Sequence, residues 1–193
     1  MKIYMIRHGE TLWNKEGKIQ GSCDIELNER GLMQANEVKE KLKNISFDVC
    51  FASPLKRAKK TAEIVINDKC DIVIDELLKE RGYGAYEGKK AQEMDIEVLK
   101  LWDYKENYSD NDVESLDELL KRATMFIEKI KNNCSNDSTV LIVSHGGFIK
   151  GLYYAVNGYN KDTDFMSFHL ENCGVYECDI SPVNNIGVNK CRN

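Results

Sequence analysis

Apolar positions in this chain follow two rhythms that take turns. From Lys2 to Ile6 a short β-rich run, Ile3-Tyr4-Met5-Ile6, stops at the polar segment Arg7-His8-Gly9-Glu10-Thr11. Past Asn28, a residue suited to cap a helix, Leu32, Ala35, Val38 and Leu42 recur at helical spacing. A second strand is predicted from Asp48 to Ala52. Ser53-Pro54 then reads as a helix start, with Ser as N-cap and Pro at the first helical position. Ile72 to Ile74 gives a third strand. Ser115 and Glu118 have capping-box spacing, and Leu116, Leu119, Ala123, Ile127 and Ile130 form one face of a long helix. From Thr139 to Ser144 the continuous run Val140-Leu141-Ile142-Val143 suits a central strand. His145-Gly146-Gly147 leads into a helix through Ile149, Leu152, Tyr153 and Val156. Two more strands are predicted, from Phe165 to Leu170 and from Gly174 to Ile180.

Strands separated by helices point to an α/β fold, a three-layer α/β/α sandwich with a mostly parallel sheet. No repeat, low-complexity tract or Pro/Gly/Ser linker divides the 193 residues, so residues 1–193 read as a single domain. A hydrophobic fraction of 42% and a charged fraction of 31% fit a globular chain rather than a disordered one. The net charge of −5 argues against a nucleic-acid or anionic-membrane partner. The first apolar run is too short for a signal-peptide core or a membrane span, and the seven cysteines are odd in number with no CxxC. A cytoplasmic protein with reduced thiols is the expectation. The three histidines, His8, His145 and His169, form no HExxH-type arrangement, so no metal site is expected.

Ligands of open α/β sheets sit beyond the carboxyl ends of the strands. Three such exits carry unusual polar residues: Arg7-His8-Gly9-Glu10, Ser53-Pro54 leading to Arg57, and Ser144-His145-Gly146-Gly147. If these strands are neighbours, two imidazoles and two guanidiniums converge. Guanidinium forks match phosphate oxygens, helix N-terminal N–H groups add positive charge, and Gly146 lets the backbone approach closely. A histidine whose one nitrogen donates to a carbonyl keeps the other free as a nucleophile. Each triplet alone reads equally as a polar strand end or a hydrogen-bonded helix start. An anionic substrate on an acidic chain requires a local positive island.

Taken together, Ile6-Arg7-His8-Gly9-Glu10-Thr11 with Asn14, Gln20-Gly21, Leu27 and Gly31 resembles the signature of the histidine phosphatase superfamily, also called the phosphoglycerate mutase-like family. Ser53-Pro54-Leu55-Lys56-Arg57-Ala58 with Thr61-Ala62 is similar to its second motif. Leu78-Lys79-Glu80-Arg81-Gly82-Tyr83-Gly84 with Glu87-Gly88 resembles its third, and Val143-Ser144-His145-Gly146-Gly147 its fourth. The resemblance implies that His8 becomes phosphohistidine and that Arg7, Arg57 and His145 hold the phosphoryl oxygens. It implies that Glu80 is the general acid and base, ahead of its rivals Glu10 and Glu87. Asn14 is implied to touch the phosphate, with Gly21 or Ser22 on the same loop, and Arg81 and Tyr83 match substrate-contacting positions of the mutase branch. No cofactor is implied, and the partner is a small phosphorylated metabolite.

Within the family, phosphomonoester hydrolysis is expected, with phosphoglycerate mutase as the alternative. The chain is shorter than the mutase branch, and Trp102-Asp103-Tyr104 stands where that branch carries Trp-Arg-Arg. A lid insertion around residues 85–115 holds Glu93, Asp95, Glu97, Asp103, Glu106, Asp110, Asp112 and Glu114 against Lys100 and Lys105, which should disfavour polyanionic substrates, unless these acids form a solvated face. Cysteine, Asp-x-Asp and Walker-type chemistries find no motif here, and His169 is assigned no catalytic duty.

Overall fold

A computed structural model describes residues 1–93 and 99–180. Asp95 and Glu97 of the expected lid, and Cys191, lie outside the described residues. The elements are β1 (Lys2–Arg7), α1 (Leu12–Lys15), α2 (Glu29–Lys41), β2 (Val49–Ala52), α3 (Lys56–Ile66), β3 (Ile72–Ile74), α4 (Leu116–Asn133), β4 (Thr139–Ser144), α5 (Gly146–Asn157) and β5 (Val175–Asp179). Their sheet runs β3-β2-β4-β1-β5. The β1–β4, β2–β4 and β2–β3 pairings are parallel, and only β5 joins β1 antiparallel.

Alternation along the strands builds the two outer layers. Ile3 and Met5 of β1, Phe51 of β2, and Val140 and Ile142 of β4 pack beneath α4 and α5. The intervening Tyr4, Ile6, Cys50, Ala52, Leu141 and Val143 pack against α2 and α3. Both faces of β4 are therefore buried, which is why its apolar run is unbroken. Each fully buried Leu, Ile or Phe contributes roughly 1.5–3 kcal/mol. The capping box of α4 forms as its spacing requires, with Ser115 accepting from Glu118 N–H while Glu118 accepts from Ser115 N–H. Asn28 caps α2 through Gly31 N–H, although Leu32, expected in the buried stripe, is 37% exposed.

Two expectations fail. The segment from Phe165 to Leu170 is not a strand. Its rings pack instead, Phe165 against Tyr154 and Phe168 stacked on Tyr153 at 4.2 Å, and the Tyr154 hydroxyl donates to Asp164 O. The apolar pattern is thus satisfied by aromatic contacts to α5 rather than by sheet pairing. His169 sits exposed beside Glu171. Ser53 also does not cap α3, whose N-cap is Leu55 with no side-chain bond.

Residues between β3 and α4 make a third, smaller apolar cluster of Tyr83, Tyr86, Leu101 and Val113, against which Ile19, Trp102 and Tyr108 pack. Glu93, Asp103, Glu106, Asp110 and Asp112 of this region are exposed, while Glu114 is bound bidentately by Arg122 at 2.8–2.9 Å. The exposed acids therefore form a solvated face and Glu114 is neutralised by Arg122, so the described residues raise no repulsive acidic lid over the sheet edge.

Candidate active site

Parallel pairing carries the two histidines to the same edge. Arg7 lies opposite Ser144 in the β1–β4 register, so each strand releases its histidine at the next step. His8 N–H donates to Ser144 O at 2.9 Å, and the ring centroids of His8 and His145 lie 5.1 Å apart. β2 leaves the sheet beside them, Ser53 N–H donating to Val143 O, and α3 returns Arg57 beneath the pair.

The hydrogen bonds fix both tautomers. His8 Nδ1 lies 2.8 Å from Gly9 O; a carbonyl only accepts, so Nδ1 carries the proton and Nε2 keeps its lone pair. Arg57 Nε donates to His145 Nδ1 at 3.2 Å, so the other nitrogen, Nε2, carries the proton and donates to Ser53 Oγ at 2.7 Å. Burial, then Arg57, then Arg7 hold His8 well below its ordinary value, and burial and Arg57 do the same for His145. Both rings are neutral near pH 7.

A cavity of about 210 Å³ opens in front of His8. Of the residues singled out from sequence, Arg7, His8, Asn14, Gly21, Glu80 and Tyr83 line it. Arg57, His145, Ser22, Arg81 and Gly146 do not. Arg57 forms the wall behind, its Nη1 and Nη2 donating to Cys23 O and Gly21 O at 2.6 and 2.8 Å. With Nε on His145, three of its five N–H groups are engaged. Arg81 is fully buried, donating to Glu114 O and Leu101 O. Among the described buried side-chain nitrogens, Arg7 Nε and Arg81 Nη2 have no hydrogen-bond partner.

Glu80 reaches across to the start of α5, where His145 provides no side-chain cap. Its Oε2 accepts from Gly147 N–H at 3.1 Å, and its Oε1 from Phe148 N–H at 3.0 Å and Arg81 N–H at 2.7 Å. A negative charge is well placed at a helix N-terminus. The close approach requires Gly147 rather than Gly146: a Cβ at 147 would meet Glu80 Oε1 at 2.5 Å, whereas one at 146 would meet Arg7 Nε at 3.4 Å, an ordinary contact. The rival carboxylates have other partners. Glu10 accepts from Asn28 Nδ2, and Glu87 accepts from the backbone N–H groups of Ser22, Cys23 and Tyr83. Gly21, at φ +50°, leaves room for that Glu87 carboxylate.

Several contributors were assigned no site role from sequence, although Ser53 and Thr61 stand within the second motif. Ser53 orients His145; Thr61 Oγ1 accepts from Gly9 N–H and donates to Arg57 O, tying the first exit to α3. Arg122 of α4 donates to Leu77 O and Lys79 O and so steadies the segment carrying Glu80. Asn172 donates to His8 O. No local signal marks the contacts of Arg122 and Asn172. Lys150 did offer one: it is the sole charge in the otherwise apolar α5. Among the described residues no cluster of metal-ligating side chains occurs, and no helix is long and apolar enough to cross a membrane.

Known proteins resemble this chain in sequence and in fold. The uncharacterized phosphatase PhoE of Bacillus subtilis (strain 168) is 40% identical over 88% of this chain and 83% of its own length. The 2,3-bisphosphoglycerate-dependent phosphoglycerate mutase of Nautilia profundicola is 30% identical over 92% of this chain and 94% of its own. A mutant phosphoserine phosphatase from Entamoeba histolytica, solved in complex with phosphoserine, superposes with a TM-score of 0.82 at 31% identity, covering 100% of this chain and 95% of that one. The family model described as histidine phosphatase superfamily (branch 1) matches residues 3–186, a span that takes in both histidines, Arg57 and Glu80. With four motifs folded onto one sheet edge and the match running through nearly every element, the chain belongs to the histidine phosphatase superfamily.

Proposed function

We propose that this protein is a metal-independent phosphatase that hydrolyses phosphomonoesters of small metabolites through a phosphohistidine on His8. One observation carries the reading: the unprotonated Nε2 of a neutral His8, the unpartnered Nε of Arg7 and the Glu80 carboxylate belong to residues lining one cavity. At about 210 Å³ it is smaller than the ~300–1,000 Å³ typical of sites for drug-sized ligands, which favours a compact substrate.

In the first step His8 Nε2 attacks phosphorus, the ester P–O bond breaks, and Glu80, which takes up a proton from solvent as the anionic ester binds beside it, passes that proton to the departing oxygen. In the second, water attacks phosphorus, the P–N bond breaks, Glu80 accepts the proton of water, and inorganic phosphate leaves. Arg7 holds the equatorial oxygens and Arg57, in the wall behind, adds its positive charge, while Asn14 adds a donor, its Oδ1 being tied back to Thr11 N–H. His145 keeps Arg57 aligned from behind, and the segment around 85–115 acts as a lid over the cavity. Trp102 lines the cavity with Asp103 and Tyr104 following, so no guanidinium stands at 103 or 104 to retain a second anion for mutase turnover.

The test is phosphate release from a chromogenic phosphomonoester in excess chelator. Wild-type protein is expected to turn over and to trap acid-labile phosphate, and His8→Ala to do neither. Activity that survives in His8→Ala, or disappears with chelator, refutes the mechanism; conversion of 3-phosphoglycerate to its 2-isomer without phosphate release, followed by phosphorus NMR, refutes the hydrolase assignment.

A further inference from the structure

The loop that leads into β5 reaches three residues of the catalytic cavity without lining the cavity itself. Residues Leu170 to Cys173 pass across the exit of β1. Leu170 O accepts from Arg7 Nη1 at 2.8 Å, and Cys173 N–H donates to Arg7 O at 2.9 Å. Between them, Asn172 Nδ2 lies 2.9 Å from His8 O and 3.4 Å from Asn14 Oδ1. Arg7, His8 and Asn14 line the cavity, and Asn172 does not.

The orientation of the Asn172 amide follows from its partners. His8 O is a carbonyl and only accepts. Asn14 Oδ1 receives the backbone N–H of Thr11 at 3.1 Å, so that atom is the amide oxygen. Two acceptors facing one end of an amide require that end to be the NH2, with one hydrogen for each. The peptide link between His8 and Gly9 is then held at both sides, its carbonyl by Asn172 and its N–H by Thr61 Oγ1 at 3.1 Å. Gly9 O, one peptide further on, accepts from His8 Nδ1, so the clamped backbone carries the anchor of the nucleophilic ring. With its Oδ1 taken by Thr11 and Asn172, Asn14 has only its Nδ2 left for the cavity. Docking of the loop does not require these bonds. Cys173 N–H to Arg7 O and Arg7 N–H to Gly174 O already fasten it to β1, whereas the half-buried Asn172 side chain spends its hydrogen bonds on His8 and Asn14.

We infer that Asn172 is a positioning residue for phosphoryl transfer: its amide bridges His8 O and Asn14 Oδ1 and so sets the direction of the nucleophilic Nε2 and of the Asn14 donor together. The inference rests on the phosphatase reading above. It adds that a loop near the far end of the chain acts on the reaction through two residues of the first motif.

The experiment is a double-mutant cycle on kcat/KM for a chromogenic phosphomonoester, with Asn172→Ala and Asn14→Ala made separately and together. Misplacement of a reacting group by ~1 Å can cost about 10²-fold, so Asn172→Ala is expected to lose about 10-fold or more. In the Asn14→Ala background the same change should cost less by about threefold or more, because one of the two groups it aims has gone. Asn172→Asp keeps the shape but sets a carboxylate against two acceptor oxygens, and should be no more active than Asn172→Ala. A residue that only holds the loop in place predicts the opposite on both counts, with equal losses in the two backgrounds and the shape-preserving variant the more active. Thermal melting checks folding; if Asn172→Ala does not fold, Asn172→Ser, whose hydroxyl cannot span both oxygens, takes its place under the same criteria. Equal losses in the two backgrounds, or an Asn172→Asp enzyme more active than Asn172→Ala, overturns the inference. A wild type that releases no phosphate from the chromogenic ester or from 3-phosphoglycerate instead sinks the phosphatase reading, and this inference with it.

Discussion

Replacing Gly147 with alanine separates local helix preference from site geometry. On propensity alone the change should help, since Gly→Ala at a compatible position stabilises by about 0.4–1 kcal/mol. Here the added Cβ lands 2.5 Å from Glu80 Oε1 and 3.2 Å from Tyr83 Oη. The carboxylate, at the far end of a flexible side chain, must shift, and the shift stretches its bonds to the N–H groups of Gly147 and Phe148. Hydrogen bonds to a charged group contribute roughly 1.5–3 kcal/mol. Even with water replacing part of that, the loss exceeds the propensity gain, so Gly147→Ala is expected to melt below wild type. The catalytic effect is larger. A displaced Glu80 cannot protonate the leaving oxygen, and general acid help is worth about 10²–10⁴-fold. With an alkyl phosphate, kcat/KM should fall by about 10²-fold or more, approaching Glu80→Gln; with a nitrophenyl ester, whose leaving group needs no proton, the fall should be much smaller. Gly146→Ala is the control, because its Cβ meets Arg7 at ordinary contact distance. A Gly147→Ala enzyme within about threefold of wild type on the alkyl ester would refute the role given to Glu80.

Glu87→Ala should loosen Gly21, Ser22 and Cys23, whose carbonyls at 21 and 23 anchor Arg57, so KM is expected to rise ~10-fold while kcat changes less; steady-state kinetics with an unchanged KM would deny the loop that function. Acid should weaken the fold through the two site histidines. Both are neutral when folded and titrate at the ordinary value of 6.5 when unfolded, so stability is retained above that value and falls as pH drops below it toward the depressed folded values. Each unit contributes about 1.4 kcal/mol per histidine, and urea midpoints at pH 7.5 and 5.5 should show it; His8→Gln must reduce the drop, and an undiminished drop contradicts the assignment.

Much of the layout was legible because parallel strands leave a sheet at one edge, so His8 and His145 had to emerge together once β1 and β4 were neighbours. The capping box at Ser115, the β3 limits and both buried faces follow from local pattern alone. Ser53 shows where local pattern misleads: Ser before Pro is a good cap signature, yet its hydroxyl is taken by His145, ninety-two positions away. The glycine demanded by Glu80 could be placed only once α5 and the Glu80 segment were docked. From Phe165 to Leu170, apolar spacing was read as a strand because sequence cannot distinguish rings that pair across a sheet from rings that pack against a helix.

The placement of β1 also sets an order of assembly. Its partners, β4 and β5, begin at Thr139 and Val175, so the strand delivering His8 is made well before either of them and can pair only once they have emerged. Of the four strand pairings, only β2 with β3 is available earlier. Such distant pairing makes for slow folding, and during synthesis the edges of β1 stay open to strangers. A nascent chain of this protein therefore stands to gain from chaperone cover until β4 and β5 arrive, and the two histidines cannot meet before β4 does.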